Sequence, residues 1–335
     1  MMTKMNTLKL SALNLAPLRA GQTHKQAIDA MVRLAQHLDS LDFTRFWIAE
    51  HHNMPHLASS ATQILIAHTL SHTQNIRVGS GGVMLPNHSP LQVAEQYGTL
   101  HTLYPNRVDL GLGRAPGTDP MTALALRRGQ RDVSQEFERD ILELQRYFGD
   151  VQGQGEVRAY PALGLNVPLY ILGSSTESAF LAGRLGLPYA FAAHFAPRML
   201  EMAVEIYRNE FKPSTVLEQP YVMICNNVLV ADSQEEAHRL ATTQQQLFWD
   251  LVRGVSRGMQ PPVPDMDALW TIQVKYAANA MMNASLIGDK TSIKAQLLDF
   301  QAKYQADELI AINYIFDEEK QLRSYSLLKE VVESL

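Results

Sequence analysis

The sequence predicts one (β/α)8 TIM barrel, and three observations carry that prediction. Strand-like and helix-like segments alternate along the whole 335-residue chain, and alternation of that kind means parallel strands joined by crossover helices. The alternation gives eight strand–helix pairs, the number that closes into a barrel, whereas a doubly wound open sheet usually uses fewer strands. No linker or composition shift divides the chain, so residues 1–335 are read as a single domain.

The first strand is "LKLSALNLAPL", residues 8–18. Ile28, Met31, Leu34, Leu38 and Leu41 then recur at helical spacing, with Thr23 and Gln26 as a capping box. The second strand is "RFWIAEHHN", residues 45–53, followed by a helix over 60–72 with Ser60 and Gln63 as its capping pair. "IRVGSGGVMLP" is the third strand, and Ser89-Pro90 opens the next helix with an N-cap and a proline in the first turn. "RVDLGLGRAPG" is the fourth, followed by a helix over 134–148. The second half continues with "VPLYILGSS" and "TESAFLAGRLGL", then "YAFAAH" and "PRMLEMAVEIYRNEF". "YVMICNNVLVA" precedes a helix over 232–249 capped by Asp232 and Glu235, and "ELIAINYIF" precedes the last helix, 318–332. Two segments exceed a minimal barrel. Residues 149–168 are rich in Gly and Pro and read as a hairpin or loop. Residues 254–287, with a helical run over 271–286, form an insertion before the last strand that could cover the barrel mouth; Met259, Met266, Met281 and Met282 suit an adaptable apolar wall or ordinary helix packing.

Composition excludes several function classes. The net charge of -5 offers no general basic field for nucleic acid. One cysteine, Cys225, excludes an intrachain disulfide framework and reads as a buried packing thiol. The N-terminal stretch could mimic a signal peptide, but Lys9, Ser11 and Asn14 interrupt it, so it reads as a strand. No apolar run approaches the roughly 18 residues needed to span a membrane. A soluble cytoplasmic protein is the expectation.

Active sites of (β/α)8 barrels are built at the C-terminal strand ends, and the unusual residues of this chain fall there. The second strand ends in Glu50-His51-His52, the third in Gly79-Ser80-Gly81-Gly82, the fourth around Arg114, the fifth in Gly173-Ser174-Ser175 and the sixth in His194. A metal centre is not expected. Adjacent strand residues point to opposite faces, so His51 and His52 cannot easily share an ion, and no H-E-x-x-H pattern or cysteine pair is present. His51 is the functional candidate, while His52 reads as a capping or hydrogen-bonding residue. Glycines inside a strand mark a bulge or the close approach of a ligand, or simply packing. Ser174 and Glu177 have capping-box spacing, and a helix N-terminus there would suit a phosphate. Arg114 could add a fixed positive charge or make a surface ion pair. Neither a Walker loop nor a G-x-G-x-x-G fingerprint is present.

The stretches "FTRFWIAEHHN", "NIRVGSGGVMLPNHSPLQVAEQ", "YPNRVDLGLGRAPGTD" and "ILGSSTESAFLAGRLGLPYAFAAHFAP" resemble the successive motifs of the bacterial luciferase-like flavin monooxygenases. The likeness covers nearly the whole chain and is greatest with the non-luminescent bacterial branch. It implies a (β/α)8 barrel and FMN, supplied in reduced form, in some members by a separate flavin reductase. It implies His51 as the catalytic histidine, Gly81 and Gly82 as the support of the isoalloxazine ring through a non-proline cis peptide, and Arg114 on the phosphate side. Gly173, Ser174, Ser175 and Ser178 match the phosphate segment in position. Gly113 stands where true luciferase has a cysteine, which argues against light emission. The function implied is an FMN-dependent monooxygenase using reduced flavin and O2 on a small organic substrate, as a homodimer. The alternatives are a deazaflavin-dependent reductase and a non-catalytic flavin-binding protein.

Overall fold

The computed structural model describes residues 8–126 and 136–335. Its strands are β1 (Lys9–Asn14), β2 (Arg45–Ile48), β3 (Arg77–Met84), β4 (Val108–Gly113), β5 (Leu169–Gly173), β6 (Tyr189–Ala192), β7 (Val222–Ala231), β8 (Leu286–Asp289) and β9 (Glu308–Ile312). All of these but β8 form a closed parallel ring in which β7 pairs with β9 and β9 returns to β1. The expected eight-stranded barrel is therefore present. β8 lies outside the ring, paired with the far end of β7 at Val228–Ala231.

Among the described residues eleven α-helices accompany the strands: α1 (His24–Ser40), α2 (Thr62–Ser71), α3 (Pro90–Leu103), α4 (Pro120–Leu126), α5 (Phe137–Phe148), α6 (Thr176–Leu185), α7 (Leu200–Glu210), α8 (Gln234–Val252), α9 (Ile272–Met282), α10 (Lys290–Tyr304) and α11 (Glu318–Glu333). Strand side chains alternate between two apolar layers, as the pleat requires. Phe46, Ile48, Tyr189, Phe191, Val222 and Ile224 point outward into the main core beneath the helices. Trp47, Ala49, Ala190, Met223 and Cys225 point inward and form a separate cluster inside the barrel. Cys225 is buried there, and burial pushes its thiol pKa up, in keeping with a packing role.

The N-terminal end of the barrel is closed by charge. Arg45 donates from Nε to Glu308 Oε1 at 2.7 Å and from Nη1 to Asp109 Oδ2 at 2.9 Å. Tyr170, Tyr221, Trp47 and Arg77 complete the network around the same two carboxylates and guanidinium. Each buried charge has an opposite partner, the condition under which charges are tolerated away from water.

Several local expectations are corrected. The Thr23–Gln26 capping box forms as read. Ser60 and Gln63 do not cap α2, which starts at Thr62 behind Ala61; the Thr62 hydroxyl instead donates to the Ala49 and Ser59 carbonyls. Ser89 precedes α3, but its side chain makes no capping bond. The cap of α8 is Ser233 bonded to the Glu236 N–H, one residue beyond the expected Asp232–Glu235 pair. Residues 149–168 form a loop with one 3-10 turn and contain no strand, so a hairpin is excluded. The start of α5 expected at Ser134 lies outside the described residues. Within the insertion the helix ends at Met282, because Leu286 begins β8, and α4, β8 and α10 were not anticipated.

Candidate active site

The strand ends assemble one mouth. His51 stands three residues beyond the end of β2 and continues the alternate spacing of Trp47 and Ala49. Its half-buried imidazole faces the Gly117 carbonyl, with Nδ1 at 3.3 Å. Burial lowers its pKa below that of an ordinary histidine, partly offset by the Gly117 carbonyl and the Glu50 charge, with His52 lowering it further. His51 is thus biased toward the neutral imidazole, the form that accepts a proton.

Glu50 and His52 face the other way. The fully buried Glu50 carboxylate accepts from His52 Nε2 at 2.9 Å and His88 Nε2 at 2.8 Å on one oxygen, and from the Met84 N–H at 3.4 Å on the other. Burial pushes this carboxyl up, but the bonds from His52 and His88 outweigh it and leave the pKa below the usual range. The expected hydrogen-bonding role of His52 is realised. His88 has little sequence signal beyond its place directly ahead of the Ser89-Pro90 helix start, and its role at Glu50 emerges only from the fold. Glu50, His52 and His88 each offer an atom within 4.8 Å of the others and so could hold a metal ion. The two N–H bonds already account for their approach.

The loop after β4 is tied down by the same motif. The Thr118 hydroxyl donates to the His52 carbonyl at 2.9 Å, Asn53 Nδ2 donates to Asp119 at 3.1 Å, and Asn87 Nδ2 donates to the Pro116 carbonyl at 2.8 Å. Arg114, at the head of that loop, forms an ion pair with Glu177 at 2.5 Å. It is a surface pair, with side-chain exposures of 47% and 67%. β4 and β5 are neighbours, so the pair brings Arg114 to the first turn of α6.

That turn differs from the reading. The N-cap of α6 is Ser175, not Ser174, and no side chain caps it. Glu177 points at Arg114 rather than back to the backbone. Ser178 Oγ lies 2.8 Å from the Ser175 carbonyl and 3.1 Å from the Tyr189 hydroxyl. The first N–H groups of α6 therefore keep their capacity to bind an anion. Gly173 has a packing reason as well, because a Cβ there would collide with Ser178.

The peptide bond between Gly81 and Gly82 is cis, as the family resemblance implied. A Cβ on Gly81 would meet Leu13 and Trp47, and one on Gly82 would meet the Gly111 carbonyl at 2.7 Å. Neither position has room for a side chain.

The luciferase-like monooxygenase family model matches residues 9–304. The chain belongs to that family. It is 44% identical to a luciferase-like monooxygenase of Escherichia coli (strain K12) over 329 residues, 98% of both chains. Among solved structures, apo-MsnO8 superposes with a TM-score of 0.87 at 32% identity, covering 97% of this chain and 98% of that one. The oxygenating constituent of 3,6-diketocamphane monooxygenase from Pseudomonas putida, in complex with FMN, has the same fold, with a TM-score of 0.74 at 15% identity and coverage of 98% and 99%. Another relative, the oxygenase component of a flavin-dependent trigonelline monooxygenase of Acinetobacter baylyi, is 24% identical over 307 residues, 84% of this chain and 82% of that one.

Proposed function

We propose that the protein is an FMN-dependent monooxygenase that takes reduced FMN and O2 and transfers one oxygen atom to a small organic substrate. The observation that carries this reading is the grouping at one mouth of a proton-accepting His51, a floor without side chains at Gly81–Gly82, and Arg114 beside the uncapped first turn of α6. Those residues fit FMN. Its phosphate would be held by Arg114 and the N–H groups at Ser175–Ser178, with Gly173 and Ser174 leading into that turn. Its ring would be supported where Gly81 and Gly82 present bare backbone. The FMN held by the 3,6-diketocamphane monooxygenase constituent, which shares the fold, is in keeping with this choice.

When bound, the reduced flavin supplies the electrons that activate oxygen. The protein's own residues position it and manage protons. The His51 ring accepts or returns a proton at the nitrogen not facing Gly117. Glu50 has a positioning role, holding His52 and His88 and so fixing the strand end that carries His51. The apolar interior excludes water from the reacting atoms. Reduced FMN delivered by a separate flavin reductase, and assembly as a homodimer, belong to the same proposal.

Oxygen uptake tests it. With NADH, a flavin reductase and FMN, the wild-type protein should raise substrate-dependent oxygen consumption, and His51→Ala should not. Hydride transfer from a reduced deazaflavin without oxygen uptake would instead favour the reductase alternative.

A further inference from the structure

We propose that the inward ends of β6 and β7 form a substrate wall for a neutral molecule that carries a hydrogen-bond donor on an otherwise apolar body. This rests on the flavin reading above and adds to it the substrate class. The placement follows from strand alternation. On β6, Tyr189 and Phe191 pack outward and Ala190 inward, so Ala192 continues the inward face, and His194 stands in the turn directly beyond it, close enough to His51 to feel its charge. On β7, Met223 and Cys225 are inward, and Asn227 follows them. β2 and β6 lie four strands apart in the eight-stranded ring, on opposite sides of it. His194 and Asn227 therefore face His51 and the Gly81–Gly82 backbone across the mouth. A molecule between the two sides would meet one with each of its faces.

The chemistry of the wall is set by two atoms. Asn227 Nδ2 donates to the His194 carbonyl at 2.6 Å. A carbonyl oxygen only accepts, so the amide orientation is fixed and Oδ1 is left as an acceptor. Neither Asn227 Oδ1 nor His194 Nδ1 has a hydrogen-bond partner among the described residues. Both side chains are at least nine-tenths buried, with exposures of 1% for Asn227 and 9% for His194. Buried polar atoms in folded proteins are nearly always satisfied, and an orphaned pair calls for a ligand or an ordered water.

The surroundings choose the ligand. Leu15, Leu172, Ile312 and Tyr314 line the same interior. His194 is held neutral by burial, opposed in part by the Cys225 backbone carbonyl, with the nearby His51 pushing its pKa the same way as burial. Of the two buried guanidinium groups among the described residues, Arg45 is at the opposite end and held by Asp109 and Glu308, and Arg19 is taken up by the Ile315 and Phe316 carbonyls and the Gln321 side chain. A carboxylate or sulfonate would lose its water here without gaining a cation. A hydroxyl or amide N–H would gain the Asn227 acceptor.

Three probes of one shape test this: benzyl alcohol, toluene and benzoate, titrated by calorimetry into wild type and Asn227→Leu, both loaded with oxidised FMN. Benzyl alcohol should bind wild type about tenfold or more tightly than toluene, the scale of one buried hydrogen bond, and benzoate should bind most weakly. In Asn227→Leu the advantage of the alcohol should disappear while toluene binds as well or better. Asn227→Ala carries the same expectation if the leucine variant does not fold. Toluene or benzoate matching the alcohol in wild type overturns the wall, as does an alcohol preference that survives the substitution, or binding by none of the three. FMN titration of both proteins separates the levels. Normal FMN binding without the alcohol preference removes the wall alone, whereas failure of wild type to bind FMN removes the flavin reading beneath it.

Discussion

Replacing Arg114 with alanine should weaken FMN binding by about ten- to a hundredfold and leave riboflavin binding nearly unchanged. The magnitude follows from the environment. A charge-assisted hydrogen bond is worth roughly 1.5–3 kcal/mol, which spans that range of affinity. Arg114 is about half exposed, so solvent screening favours the lower end. The fold should tolerate the change, because the pair it makes with Glu177 is a surface pair and such pairs add little stability. Glu177 gives an internal control of opposite sign. In the structure its carboxylate occupies the guanidinium that the phosphate would use. Glu177→Gln removes both that competition and a like charge, and FMN should bind about three- to tenfold more tightly. In the double variant the Glu177 effect on guanidinium occupancy should vanish. The assay is fluorescence titration of both flavins into the three variants and wild type at one fixed salt concentration. Equal losses for FMN and riboflavin in Arg114→Ala would refute the reasoning, because Arg114 would then support the ring or the fold.

Other expectations concern catalysis, acid stability and the barrel plug. His51→Ala should retain flavin affinity but lose on the order of a hundredfold or more in turnover; an active His51→Ala with an inactive His52→Ala, measured by oxygen uptake, would exchange their roles. His194 has a folded pKa of about 3 against about 6.5 unfolded. Its stabilising contribution is complete above pH 6.5 and is lost as pH falls toward 3, by up to about 1.4 kcal/mol per unit. His194→Gln should therefore show a shallower loss of stability than wild type between pH 7 and pH 5 in urea unfolding, and parallel curves would contradict the burial argument. Glu50, whose carboxyl is lowered, acts in the same direction at more acidic pH. Arg45→Met should cost about 3–5 kcal/mol, because Asp109 and Glu308 would remain buried without their shared cation; a thermal transition within a degree or two of wild type would show that the network is dispensable.

The sequence by itself determined the barrel. Strand and helix periods are local properties, and eight alternations leave few topologies open. It also determined which residues stand at the mouth, since a strand end is visible as the point where an apolar run meets glycine or a polar residue. His51, Arg114 and Gly81–Gly82 were placed at the mouth that way, whereas the cis bond between the two glycines was implied by the family resemblance alone. The Thr23–Gln26 box was legible because both its bonds lie within four residues. The tertiary structure decided what depends on register between strands or on contacts across long sequence separations. α6 starts behind Ser175 rather than Ser174, and Glu177 turns to an arginine on the neighbouring strand end instead of closing a capping box. β8 is only four residues long and exists by pairing with the outer end of β7; no local pattern encodes a partner that distant. His88 meets Glu50 across 38 residues, and Asn227 meets His194 across 33. Such pairs form because barrel closure brings neighbouring strand ends within hydrogen-bonding distance, and closure is a property of the whole ring.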